Sequence, residues 1–191
     1  MEGYVAGLLD EEEQAEVKRM SLLFSEVKDE LEMIGISLES YAKEQAIKPS
    51  TTVKALLMAA VDFTERLKAG EEVIDPPILN ERSVILDFLY WLQQPVFQLP
   101  ERFDGLYARL INAKPAYSTA VVWIKEMAAE EVHHDEYEKF LIVEGSCVVT
   151  IDHQEFKLYP GDYISIPLYK NHSLRVTSTI PCKAILQRIA A

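Results

Sequence analysis

The chain is short of cysteine, of positive charge and of long apolar runs. Its 191 residues hold only two cysteines, Cys147 and Cys182, both in the second half. That is not the dense spacing of a secreted disulfide scaffold; it predicts reduced thiols, each a small buried apolar side chain rather than a redox pair. Lysine and arginine number 19 against 31 acidic residues, for a net charge of −12. Such a balance grips phosphate backbones poorly, so no direct contact with nucleic acid is expected. No stretch approaches the roughly 18 apolar residues needed to span a bilayer, and the opening MEGYVAGLLDEEE lacks the basic segment of a signal peptide. A soluble, cytoplasmic protein without membrane association follows as the expectation. Internal repeats and low-complexity segments are absent too.

What is present is apolar substance and acid. Apolar residues make up 49% of the chain, enough for a sizeable core in one ordinary domain or two small ones. The acid is uneven: residues 1–76 carry 17 acidic and 8 basic side chains, a balance of −9, and residues 77–191 carry 14 and 11, a balance of −3. A solvated surface accounts for this in the plainest way and is the first expectation from charge alone; a face turned toward a basic protein is the other.

Residues 1–75 read as helices and contain neither histidine nor cysteine. A short apolar helix over Tyr4–Leu9 stops at Asp10, whose carboxylate can accept from the amides of the next turn, and Glu11, Glu12 and Glu13 suit a helix N-terminus. From there Val17, Met20, Phe24, Val27, Leu31, Ile34, Leu38 and Tyr41 recur at alternating spacings of three and four, one stripe that must be covered by something. With Ser25 as a fresh cap, two helices of about 11–22 and 25–45 are expected. Pro49 ends the pattern, and Ser50 or Thr51 begins a further helix bearing Val53, Leu56, Leu57, Ala60 and Phe63, which runs out near Gly70. So few short helices bury little surface, so these stripes either pack on each other or await a partner. Residues 71–82, with Pro76-Pro77, read as a stiff linker, and Ser83–Gln94 as a helical turn or two.

The second half is organised around Glu131–His172. Three of the four histidines, His133, His134 and His172, stand at its ends, and His153 lies in the turn DHQE as a surface residue. Between them FLIVEG, CVVTID, FKL and YISIP read as strands joined by tight turns, after an earlier strand over Ala120–Ile124. Four residues apart on an extended strand, His134 and Glu138 share a face, and His172 joins them if the chain folds back. Two imidazoles and a carboxylate suit zinc, manganese, iron or nickel, and are also the ligand set of non-haem iron oxygenases.

These residues resemble the cupin signature. Glu138, six residues and Gly145 match the end of its first motif; Gly161, DYISI, Pro167 and His172 match its second, with Tyr169 where the family often has glycine. The resemblance covers roughly residues 115–190 and implies a double-stranded β-helix barrel with inward ligands. The His-x-His that should open the first motif is altered. Counting back three residues from Glu138 gives His134 preceded by Val132; counting back four gives His133 preceded by Glu131. Alternation favours His134, since His133 faces away unless a bulge re-aims it. A divalent metal held by His134, Glu138, His172 and His133 is implied, zinc first, with a metal-free barrel as the alternative.

A second resemblance covers the helices. Tyr4-Val5-x-Gly7-Leu8-Leu9-x-x-Glu12, the acidic second helix and ESYAKEQAIKPSTTVKALLMAAV look like the cytoplasmic domain of bacterial anti-sigma factors, and DFLYWLQQPVFQLP and SLRVTSTIPCKAILQRIAA are similar to the cupin-type members of that group. The His-x3-Cys-x2-Cys zinc motif of many such domains is ruled out, because the first histidine is His133. The implied organisation is multi-domain α plus β: a helical domain over 1–75 that holds an extracytoplasmic-function sigma factor, a linker over 76–82, and a cupin over 83–191 that senses a signal and can homodimerise. No catalytic residue is assigned. The rival expectation is a metal-dependent oxygenase or isomerase with helices that serve only for dimerisation.

Overall fold

The computed structural model describes residues 1–46 and 51–191, in two compact units, Met1–Lys48 and Pro49–Ala191. The first unit holds α1 (Glu2–Val5), α2 (Glu11–Leu23) and α3 (Ser25–Glu44). Asp10 caps α2 as its sequence suggests: Glu13 N–H donates to the Asp10 carboxylate at 2.9 Å, and Asp10 N–H donates to the Glu13 carboxylate at 3.2 Å. Ser25 begins α3 but does not cap it, for it is already the first helical residue and Phe24 holds the cap position with extended backbone. Both α1 and α2 pack on α3, yet no residue of 1–46 is fully buried. Val17, Met20, Val27, Leu31 and Ile34 are half-covered, while Phe24, Leu38 and Tyr41 of the same stripe are exposed. Pro49 as a helix stop and Ser50 as a helix start lie outside the described residues.

The second unit is built on two sheets. Strands β1 (Leu106–Ala113), β2 (Tyr117–Ile124), β4 (Glu136–Glu144), β7 (Tyr163–Ile166) and β9 (Cys182–Ala190) form one in the order β1-β2-β9-β4-β7. Strands β3 (Met127–Glu131), β5 (Cys147–Ile151), β6 (Gln154–Leu158) and β8 (His172–Val176) form the other in the order β3-β8-β5-β6. All the pairings are antiparallel. Period two fills the space between the sheets with Ala120, Val122, Ile124, Phe140, Ile142, Val149, Leu174, Ala184 and Leu186. Cys147 and Cys182 sit in that same core with free thiols. A hydrogen bond to Cys182, with burial added, pushes the Cys147 thiol up, away from the reactive thiolate. At the β4–β5 turn Gly145 has φ +75°, and a Cβ there would meet Ser178 Oγ at 2.8 Å and the Pro181 carbonyl at 2.9 Å; only glycine fits.

Two segments expected to stand apart belong to this barrel. Helix α4 (Thr51–Lys68) was grouped by sequence with the helical domain ending at residue 75; it packs on β1, and its Ala59 and Phe63 are buried in the core between the sheets. Arg66 anchors it, donating to the Leu110 carbonyl at 2.5 Å beside a register shift in β1, while Asp62 pairs with Arg109 at 3.1 Å. The boundary therefore falls before α4, not after it. The Pro-Pro stretch is extended, as expected, but is no free linker: Gln187, fully buried on β9, donates to the Pro77 carbonyl and the Thr119 hydroxyl and accepts from Leu79 N–H at 2.8 Å. Beyond it a 3-10 turn (Ile85–Phe88) and α5 (Leu89–Leu92) lay Phe88, Trp91 and Leu92 over the outward side chains Val121, Trp123, Leu141 and Ile185. The first sheet is thus buried on both faces, which is why six successive residues of β2 (119–124) and of β9 (182–187) are buried.

Candidate metal centre

Strand alternation places Glu138 inward on β4, in the row of Phe140 and Ile142, and His172 inward on β8, in the row of Leu174. His172 Nε2 lies 3.0 Å from Glu138 Oε2. The third member is His133, whose Nε2 is 3.6 Å from Glu138 Oε1 and whose ring centroid is 5.1 Å from that of His172. One ligand atom from each of the three lies within 4.8 Å of the others. The expected His134 is not among them: it is exposed, its ring edge-on to Tyr169 at 5.4 Å. The reason is local. Strand β4 begins only at Glu136, so period two does not reach back to 134, and the bend through His134-Asp135 turns His133 inward. Tyr169 N–H donates to the His133 carbonyl at 2.8 Å and fixes that bend. Tyr169 itself has φ +61°, the left-handed backbone that explains glycine's usual place at this point of the motif. His153 is exposed, as the sequence suggests.

Sequence reading passed over Arg188. It sits opposite Glu138 in the β4–β9 register and shares the inward row of β9 with Ala184 and Leu186. Its guanidinium donates from Nε to Glu138 Oε1 at 3.0 Å, with Nη2 2.9 Å from the same oxygen as an ion pair, donates from Nη2 to Glu131 at 3.4 Å, and reaches Glu136 at 3.2 Å. Period two, counted along CKAILQRIA, carries the signal that finds it.

The charges settle in a definite way. Glu138 is buried, which by itself raises a carboxyl's pKa, but the imidazoles of His133 and His172 and the charge of Arg188 outweigh burial and hold it well below the usual carboxylate range. For His172 burial favours the neutral ring, and the Glu138 carboxylate overrides it to raise the pKa. Both ring nitrogens face acceptors, Nδ1 the Lys170 carbonyl at 3.2 Å and Nε2 the Glu138 carboxylate. Both contacts favour the doubly protonated ring. Three carboxylates, Glu131, Glu136 and Glu138, face the Arg188 guanidinium, and Glu138 faces this ring as well.

Two buried atoms at the centre, His133 Nε2 and Glu131 Oε1, have no hydrogen-bond partner among the described residues. Orphaned buried acceptors are costly, and a divalent cation is the simplest group that would satisfy both. The donor set fits: two imidazoles and the Glu138 carboxylate suit zinc, manganese, iron or nickel, with Glu131 placed for a fourth position. A metal would polarise or hold an oxygen ligand here, and would release the Nε2 proton of His172 on binding.

Next to the centre is a cavity of about 30 Å³, room for about two waters. Glu131, Glu138 and His172 line one side of it, and Phe140, Val122 and Leu186 the body. The cover is α4: Leu56 and Thr52 line the same cavity, and the buried Thr52 hydroxyl has no partner.

Residues 119–187 match the family model described as a cupin domain. An uncharacterised protein of Methanocaldococcus jannaschii is 24% identical over 119 residues, which are 62% of this chain and 82% of that protein. Among solved structures, a cupin superfamily protein of Desulfitobacterium hafniense is 18% identical over 63% of this chain and all of its own, with a TM-score of 0.45. The cupin domain of Schizosaccharomyces pombe Cnp3 is 13% identical, covering 47% of this chain and 67% of its own, also at 0.45. Family match and two-sheet topology agree: the chain is a set of helices followed by a cupin barrel domain.

Proposed function

We propose that this protein is an anti-sigma factor that acts in the cytoplasm, holding a sigma factor through the acidic helices α1–α3 while the cupin barrel senses a metal or a small ligand. The observation that carries the reading is the bare apolar surface of those helices. Leu22, Leu23, Phe24, Met33, Ile36 and Tyr41 are all exposed, and residues 1–48 hold twelve acidic against five basic side chains, a balance of −7. Apolar residues ringed by acid suit a partner with an apolar seam and a basic face, the face with which a sigma factor meets DNA. Among the described residues no helix is long and apolar enough to cross a membrane.

The position of α4 supports the sensing half of the reading. It follows α3 in the chain, and its Leu56 and Thr52 close the cavity at the candidate metal centre. Occupation of that cavity therefore acts on a helix as well as on the strands that line it. An oxygenase or isomerase needs room for an organic substrate, commonly about 300–1,000 Å³; the closed cavity of about 30 Å³ favours the sensor over the enzyme. The test is purification of the full chain from its native cell. A stoichiometric complex with an extracytoplasmic-function sigma factor is expected, and recovery of no sigma factor with metal, with chelator, or with oxidant would overturn the reading. Met33→Glu and Leu23→Glu should weaken that complex at least about tenfold, since truncating a well-placed apolar anchor commonly costs 1–2 kcal/mol or more.

A further inference from the structure

Arg188 stands where a metal ion is least easily joined by a second cation. Glu138 Oε1, the oxygen nearest His133 Nε2, already accepts a guanidinium hydrogen bond from Arg188 Nε at 3.0 Å and is ion-paired with Arg188 Nη2 at 2.9 Å. The pair is fixed by the fold rather than by flexible reach, because Glu138 and Arg188 are register partners on adjacent strands with both side chains turned inward. Arg188 also has somewhere to go. Glu136 at 3.2 Å and Glu131 at 3.4 Å offer it other carboxylates, and Glu136 lies nearer the solvent, with a third of its side chain exposed.

We propose that Arg188 is a resident rival of the metal: its guanidinium neutralises Glu138 when no ion is bound, yields that oxygen toward Glu136 and Glu131 when one arrives, and so keeps the centre a reversible binder of divalent cations. The inference rests on the metal reading of the site. A guanidinium and a divalent ion on one carboxylate oxygen repel at close range in a water-poor site, so every metal-bound state carries that repulsion or the work of moving Arg188 aside. The opposite role is also physically reasonable, because a group that orients a ligating carboxylate usually strengthens metal binding. The two roles differ in sign, which makes the question decidable.

Zinc and cobalt(II) affinities of the full chain, measured by competition with a chromophoric chelator and by the visible spectrum of bound cobalt, test it. Arg188→Met and Arg188→Gln should both bind about tenfold tighter than wild type or more, the lower end of the effect that neighbours of metal ligands exert. Arg188→Lys keeps the charge as a compact cation and should stay within about threefold of wild type. If Arg188→Met fails to fold, Arg188→Gln, which still donates to Glu138, carries the same expectation. Unchanged or weaker binding in the neutral variants overturns the rivalry and makes Arg188 an orienting group, with the metal site intact. No metal uptake by wild type, or uptake that His172→Ala leaves unaltered, overturns the metal reading and the rivalry with it.

Discussion

At the scale of single residues, the barrel differs from its sequence reading in which histidine it turns toward Glu138 and His172. His133→Ala should lower metal affinity by at least about a hundredfold, the upper end of what even indirect neighbours of a ligand cost, whereas His134→Ala should leave it within error; isothermal titration with zinc separates them. The expectation of His134 failed because period two was extended through two residues that are not strand, and neither His134 nor Asp135 announces that bend by composition. Glu138 and His172, which do sit on strands, were legible from alternation and spacing. Arg188 was equally legible by the same rule, counted from Ala184 and Leu186 along β9. The metal-free protein also has a definite pH profile. His172 is raised above its usual 6.5, so its contribution is complete below that value and is lost as pH rises through the folded value. Glu138 is lowered, so its contribution is complete above about 4.5 and is lost as pH falls toward its folded value. With chelator present, the melting temperature should decline from pH 6.5 to 9, and His172→Gln should remove the decline.

Elements tell a second story, in which local pattern and tertiary assignment part company. Helix α2 and its cap were legible residue by residue, and α4 was legible as a helix with one apolar face. What sequence could not say was which neighbour that face meets, because an amphipathic stripe records only that it is covered. Ala59 and Phe63 are covered by the barrel. A fragment of residues 51–191 should therefore fold cooperatively, and one of residues 76–191 should expose the underside of β1 and melt at markedly lower temperature. Phe63→Ala, which leaves a cavity in that contact, should cost about 3–5 kcal/mol of stability by urea unfolding. Gly145→Ala should cost about 2–3 kcal/mol, since it combines left-handed backbone with two contacts under 3 Å.

For the molecule as a whole, stability and exposure are divided between the two units. The barrel unit buries one core between its sheets and another outside the first sheet, while among the described residues the helical unit has no buried side chain at all. Hydrogen exchange should find the amides of β2, β4 and β9 protected to the level of global unfolding and those of α2 and α3 near the level of local fraying. Strand β9 has a consequence for the order of events in the cell. It pairs with both β2 and β4, fastens Pro77 and Leu79 through Gln187, and supplies Arg188 to the candidate metal centre, so neither the first sheet nor that centre is complete before it is synthesised. At about 5–20 residues per second, α1–α3 leave the ribosome roughly 7–28 seconds ahead of it. During that interval the acidic helices are complete and the barrel is not. A newborn chain therefore carries its apolar helical stripes before it has any place for an ion.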